Sequence, residues 1–128
     1  MQLFHPPLPV RDLEEARAFY ADVLGAEAVG VTPDSVALTL CGHRLSLHLA
    51  PPEPGAAPQL RLDLPQTDWT ALAGRLEEAA ADFIAAPQRR ERGTPGEHWF
   101  LAVRDPAGNR LEIRGLPESG EPAATSAR

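Results

Sequence analysis

The sequence predicts an α+β fold of two tandem βαβββ modules, with helices covering one sheet face and polar side chains on the other. Three observations lead there. The order strand, helix, three strands occurs twice along the chain. The strand segments alternate apolar and polar residues at the two-residue period of a half-buried sheet. A proline-rich stretch at residues 51–58 reads as a linker between the halves.

Residues 3–10 form the opening extended segment. Across residues 11–24, Leu13, Ala16, Phe19, Tyr20, Val23 and Leu24 fall on one helical face of roughly 140° at ~100° per residue. Asp12 followed by Glu15 has capping-box spacing, and Gly25 suits a left-handed helix end. Three strand segments follow, at residues 27–31, 36–41 and 44–49. The second half repeats the order with a strand at 59–64 and a helix at about 68–81, capped by Thr67 or Asp68. Trp69, Leu72, Leu76, Ala79, Ala80 and Phe83 share a face there. Strands at 82–86, 98–104 and 110–113 complete the repeat.

Length and composition bound the function. A chain of 128 residues with 43% hydrophobic and 23% charged residues fits one globular domain. That domain is expected at residues 1–115, with module one at about 2–50, module two at about 58–115 and a disordered tail at 116–128. No run of eighteen apolar residues suggests a membrane span, and the N-terminus lacks a secretory pattern, so a cytoplasmic protein is expected. The net charge of −6 argues against nucleic acid as partner. The Arg89-Arg90-Glu91-Arg92 run reads as a solvated loop. The single Cys41 has no partner for a disulfide or zinc site and reads as a small buried hydrophobe.

Alternation also assigns the polar face. Arg44, Ser46 and His48 share it on one strand, Gln59, Arg61 and Asp63 on another, and Arg110, Glu112 and Arg114 on a third. Plain solvent exposure and a concave ligand-binding face both explain such a pattern, and alternation does not separate them.

Three stretches resemble the glyoxalase, fosfomycin-resistance and extradiol-dioxygenase superfamily, the vicinal oxygen chelate fold. They are Phe4-His5-Pro6-Pro7-Leu8-Pro9-Val10-Arg11-Asp12-Leu13, Ala18-Phe19-Tyr20-Ala21-Asp22-Val23-Leu24-Gly25, and Arg104-Asp105-Pro106-Ala107-Gly108-Asn109-Arg110-Leu111-Glu112-Ile113. The first resembles an opening strand bearing a histidine, the second a Phe-Tyr and Leu-Gly helix signature. The third resembles an Asp-Pro-x-Gly-Asn turn into a final strand carrying a glutamate. Within the superfamily, residues 41–49 and Gly96-Glu97 look closest to uncharacterised predicted extradiol dioxygenases.

The resemblance implies a curved mixed-sheet cup with helices on its outer face. It implies a divalent metal, Fe, Mn, Ni or Zn, on the cup floor as Lewis acid. By position, His5 and Glu112 match metal ligands, with Glu112 also a catalytic candidate. His48 lies at the end of the first module's last strand, the position that supplies a glutamate or similar ligand in glyoxalases, and is a metal-ligand candidate, with a hydrogen-bonded histidine in a polar cup as the competing reading. Gln59 stands where many metal-dependent relatives carry histidine; its amide oxygen is a weaker metal-ligand candidate, His48 could supply the missing imidazole, and the departure also leaves open a domain that has lost its metal. A small slip in alignment would place Arg61 there instead, as a partner for a carboxylate. Arg44, Arg61, Arg110 and Arg114 are candidates to bind an anionic small-molecule substrate. His98 is an acid–base candidate, His43 is expected solvated in a hairpin turn, and Tyr20 is expected in the core. The leading expectation is a metal-dependent glyoxalase- or dioxygenase-like enzyme acting as a lyase, isomerase or oxygenase. The alternative is a metal-free, drug-sequestering protein of the same fold, to which Trp69 or Trp99 would contribute. Either would form a C2 homodimer, as chains of this size in the superfamily do.

Overall fold

The computed structural model describes residues 3–51 and 59–117, with only the backbone of Leu3 and Gln59; linker residues 52–58 and tail residues 118–128 lie outside the described residues. Module one consists of β1 (Leu3–Phe4), β2 (Leu8–Val10), α1 (Leu13–Arg17) continued by a π-helical segment (Ala18–Val23), β3 (Glu27–Thr32), β4 (Ser35–Leu40) and β5 (His43–Leu49). Module two consists of β6 (Gln59–Pro65), α2 (Gln66–Glu78), β7 (Asp82–Arg90), β8 (His98–Arg104) and β9 (Arg110–Leu116). In each module the first strand lies parallel to the last, and the remaining neighbours are antiparallel. The orders are β1/β2-β5-β4-β3 and β6-β9-β8-β7. The mixed sheets of two βαβββ modules are thus present.

The opening strand is broken where continuity was expected. Pro6 and Pro7 cannot donate to a ladder, so β1 pairs with β5 at Leu3↔His43 and β2 resumes the pairing at Leu8↔Leu47. His5 falls in the gap, with its N–H held by the Arg44 carbonyl at 3.3 Å.

The first helix follows its sequence signature. The Asp12 side chain accepts from the Glu15 N–H at 3.0 Å, and Ala16, Tyr20 and Leu24 are buried. Its last turn widens, so that the Leu24 N–H bonds to the Phe19 carbonyl five residues back. Gly25, at φ 84°, ends it. In contrast, α2 starts earlier than expected. Pro65 at φ −57° occupies the capping position with no side-chain cap. Thr67 and Asp68 lie inside the first turn, where Asp68 suits the helix dipole.

Strand ends also depart from expectation. β7 runs to Arg90 rather than residue 86, because Arg89 and Arg90 stack on the β8 rings of Trp99 and Phe100, with Arg90 3.7 Å from its ring centroid. Arg89 further pairs with Glu97. The basic run is therefore strand in its first half. β5 begins at His43, since the β4–β5 turn needs only Cys41 and Gly42, at φ 49° and 84°. That turn leaves Cys41 exposed, not buried.

One apolar core joins both modules, built from the leucine faces of β4, β5, β6 and β9 beneath α1 and α2. Trp69 of α2 belongs to it, at 5% exposure, donating from Nε1 to the Ile113 carbonyl at 3.0 Å. It is not available to a ligand on the polar face. A buried polar network locks the modules together. The Asp105 carboxylate accepts from Tyr20 Oη (2.7 Å), Ala107 N (2.9 Å), Asn109 N (2.8 Å) and Asn109 Nδ2 (2.9 Å). Asn109 Nδ2 also donates to the Pro9 carbonyl of β2 at 2.9 Å. Burial and the Asp105 charge push the Tyr20 hydroxyl well above its ordinary range, so it stays a donor. Among the described residues no helix is long and apolar enough to cross a membrane.

Tyr20→Phe keeps the ring and removes one donor from a buried carboxylate. Urea unfolding is expected to show a loss of about 1.5–3 kcal/mol, and an unchanged midpoint would mean the hydroxyl contributes nothing.

Candidate functional site

The parallel register of β6 and β9 sets Gln59 beside Arg110, Arg61 beside Glu112 and Asp63 beside Arg114. Arg61, Asp63, Arg110, Glu112 and Arg114 share the face opposite the leucines, so oppositely charged neighbours meet across the strands. Arg61 Nε donates to Glu112 Oε1 at 3.0 Å, and Arg110 Nε donates to Glu112 Oε2 at 3.0 Å. Arg114 grips Asp63 through two parallel bonds, Nε to Oδ1 at 2.8 Å and a terminal amine to Oδ2 at 2.9 Å. Glu112 is the buried member, with its side chain 13% exposed against 75% for Arg61 and 39% for Arg110.

Module one closes this face with two histidines. His5 and His43 join Arg61, Asp63, Phe100, Glu112 and Arg114 around a cavity of about 470 Å³, within the roughly 300–1,000 Å³ range of ligand pockets. His5 Nε2 lies 2.8 Å from His43 Nδ1, and His43 Nε2 lies 3.0 Å from the Asp63 carbonyl. The rings stack with centroids 5.0 Å apart. Burial, then the neighbouring His43, lowers the His5 pKa. Hydrogen bonds from Arg114 hold the Asp63 carboxyl below its usual range against the opposing effect of burial, helped by the charges of Arg114, His43 and His98. Asp63 in turn raises the Arg114 pKa.

Of the residues singled out in the sequence, the structure brings His5, Glu112, Arg61 and Arg114 to the cavity, with Arg110 behind Glu112. His48 and Arg44 sit on β5 and do not line it. The pairing explains the position of His48. With the inward-facing Val10 and Leu64 taken as equivalent, their partners are Leu49 and Gly115. Counting back, His48 matches Arg114 and Ser46 matches Glu112. His98 is 9% exposed, bonded through Nδ1 to the Gly96 carbonyl at 2.8 Å, and does not line the cavity. Gln59 is placed by backbone alone. His43 is the residue that sequence reasoning missed. It is 3% exposed rather than solvated, because it is the first residue of β5 and continues the phase of Leu45 and Leu47. The signal was present in the His-x-Leu-x-Leu alternation, read one strand position too late.

A divalent metal finds a poor donor set here. Among the described residues no group of three or more His, Cys, Asp or Glu stands together as a metal site. Glu112 has both oxygens engaged by guanidiniums, Asp63 likewise, and His5 is bonded through Nε2 to His43. Both carboxylates already hold guanidinium cations, whose charge opposes the approach of a metal cation.

Comparison with known proteins follows from this geometry. The family model described as Glyoxalase/Bleomycin resistance protein/Dioxygenase superfamily matches residues 2–113. Virulence protein STM3117 of Salmonella typhimurium is 28% identical over 118 residues, spanning 85% of this chain and 80% of that protein. The crystal structure of a glyoxalase/bleomycin resistance protein/dioxygenase from Alicyclobacillus acidocaldarius superposes with a TM-score of 0.75 at 27% identity, covering 91% of this chain and 92% of that one. Lactoylglutathione lyase from Agrobacterium tumefaciens shares the fold, with a TM-score of 0.67 at 23% identity over 90% of this chain and 92% of that one.

The depressed Asp63 pKa carries a pH signature. A carboxyl whose folded value lies below its unfolded value of about 3.9 contributes stability above that pH and loses it as pH falls through the folded value. Arg114→Gln is expected to return the Asp63 carboxyl towards about 3.9 in an NMR titration. The variant's stability deficit, on the order of 0.2–1 kcal/mol for so exposed a pair, should be constant at neutral pH and vanish in acid. A deficit independent of pH would mean that Arg114 acts through packing alone.

Proposed function

The chain belongs to the glyoxalase/bleomycin resistance protein/dioxygenase superfamily, and from that premise we propose that its cavity binds a small, oxygen-rich anion through arginine side chains without a resident metal. The observation that carries this reading is the Glu112 carboxylate, whose two oxygens each accept from a guanidinium. In that state it is an anchor for arginines and not an open ligand. Three guanidiniums face two carboxylates, leaving a surplus of positive charge beside a cavity of small-molecule size. Arg61, which lines the cavity, bonds to Glu112 through its Nε, so its terminal amines can meet a carboxylate of the ligand. The same surplus disfavours the cationic drug of a sequestering protein.

The metal-dependent reading, in which the cup performs lyase, isomerase or oxygenase chemistry, is supported by one observation. His5 and Glu112 line the same cavity. It sets a metal cation beside the two guanidiniums that Glu112 already holds.

Calorimetric titration of propionate, lactate and succinate in the presence of EDTA separates the two. The arginine reading expects binding that EDTA leaves intact and that Arg61→Ala weakens about tenfold, the loss of roughly one charge-assisted bond. A tight site for Fe(II), Mn(II), Ni(II) or Zn(II) of about one ion per chain, abolished in both His5→Ala and Glu112→Ala, would overturn it.

A homodimer forms part of the proposal. β3 is an edge strand exposed along its whole length, with Val29 at 48% and Val31 at 67% exposure, and such edges invite pairing. Sedimentation at micromolar concentration is expected to give twice the chain mass; a monomer alone would remove the dimer from the proposal.

A further inference from the structure

Two imidazoles and one backbone carbonyl form a chain along the cavity wall. The Asp63 carbonyl can only accept, so His43 Nε2, 3.0 Å away, carries a proton. In a neutral imidazole the other nitrogen is then an acceptor. His43 Nδ1 therefore accepts, and His5 Nε2, 2.8 Å from it, donates. The same rule leaves His5 Nδ1 with the lone pair, in a ring that lines the cavity.

We propose that His43 is a positioning residue that locks His5 in its Nε2-protonated tautomer, and that His5 Nδ1 accepts a hydrogen bond from a ligand hydroxyl. The cavity then selects small hydroxycarboxylates over carboxylates that lack the hydroxyl. The selectivity rests on the arginine-bound anion proposed above, whereas the tautomer rests on the histidine geometry alone.

Several features hold the chain in place. His43 is 3% exposed, so water does not compete for its nitrogens. The two rings stack with 28° between their planes, so turning either ring breaks the bond between them. Asp63 serves both sides at once. Its carbonyl orients His43 while its carboxylate orients Arg114, which ties the acceptor and the cationic side of the cavity to one residue of β6.

The test uses ¹⁵N-labelled full-length protein without ligand at about pH 8.5, two units above the ordinary imidazole value of about 6.5. In wild type, His5 should show a proton on Nε2, a bare Nδ1 and a ¹⁵N–¹⁵N coupling across the bond to His43 Nδ1. In His43→Phe the coupling disappears and the His5 nitrogens move to values averaged between tautomers. A wild-type His5 that carries its proton on Nδ1, or already averages, overturns the lock even if the variant fails to fold. So does a His43→Phe spectrum in which the His5 nitrogens are unmoved. Calorimetry then compares lactate with propionate. Wild type should favour lactate about tenfold, the effect of one satisfied hydrogen bond, and His5→Phe should lose that preference while still binding propionate. Equal affinities in wild type overturn the selectivity. Binding of neither acid sinks the arginine reading and the selectivity with it, while the tautomer is decided by the spectrum.

Discussion

The Asp105 carboxylate is the point on which the placement of every other group depends. A buried carboxylate costs several kcal/mol unless hydrogen bonds satisfy it. Four donors do so, coming from the module-one helix through Tyr20 and from its own turn through Ala107 and Asn109. The arrangement is demanding because the donors come from segments 85 residues apart in sequence. Tyr20 must sit on the inner helix face, and Asn109 must turn back to Asp105, which Gly108 permits at φ 92°. Asn109 then also reaches the Pro9 carbonyl. Module one is thereby fixed against the start of β9. A second tie runs from Arg75 of α2 to the Leu24 carbonyl at 3.1 Å, satisfying an acceptor at the end of the first helix. Gly25 leaves room for it, since a Cβ there would stand 2.5 Å from the guanidinium.

Given that junction, the cavity follows from sheet register. β9 starts directly after the locked turn, so Glu112 stands two residues in, on the polar face and beside Arg61. On the other side, the break at Pro6-Pro7 frees His5 from the continuous ladder, and the parallel pairing of β1 with β5 brings it next to His43. Neither module contains the cavity by itself. The first supplies imidazoles, the second supplies the charged pairs, and β6 is where they meet.

Local pattern was legible in the sequence, and partner choice was not. Alternation at Arg61-Leu62-Asp63 and Leu111-Glu112-Ile113 assigned faces correctly, and the apolar stripe with Asp12 located the first helix. The Asp-Pro-x-Gly-Asn turn was readable because proline and glycine constrain φ locally. By contrast, the match of Arg61 to Glu112 spans 51 positions and depends on a register that no local signal encodes. Cys41 and His43 were misjudged for one shared reason. The hairpin turn was placed one residue too late, which exchanged an exposed thiol for a buried imidazole. The helix start at Gln66 was missed because proline at its capping position sets φ without leaving a side-chain signature.

The same register explains why a shared fold does not dictate a shared chemistry. A carboxylate on the last strand can serve a metal only if its oxygens point at vacant space or at neutral donors. Here the residue across the strand is Arg61 and the residue two positions earlier is Arg110, so both oxygens are engaged before any ligand arrives. The negative charge of Glu112 is thereby spent on holding two guanidiniums in place. Cross-strand neighbours of the conspicuous carboxylate, and not the carboxylate itself, set the charge around its oxygens.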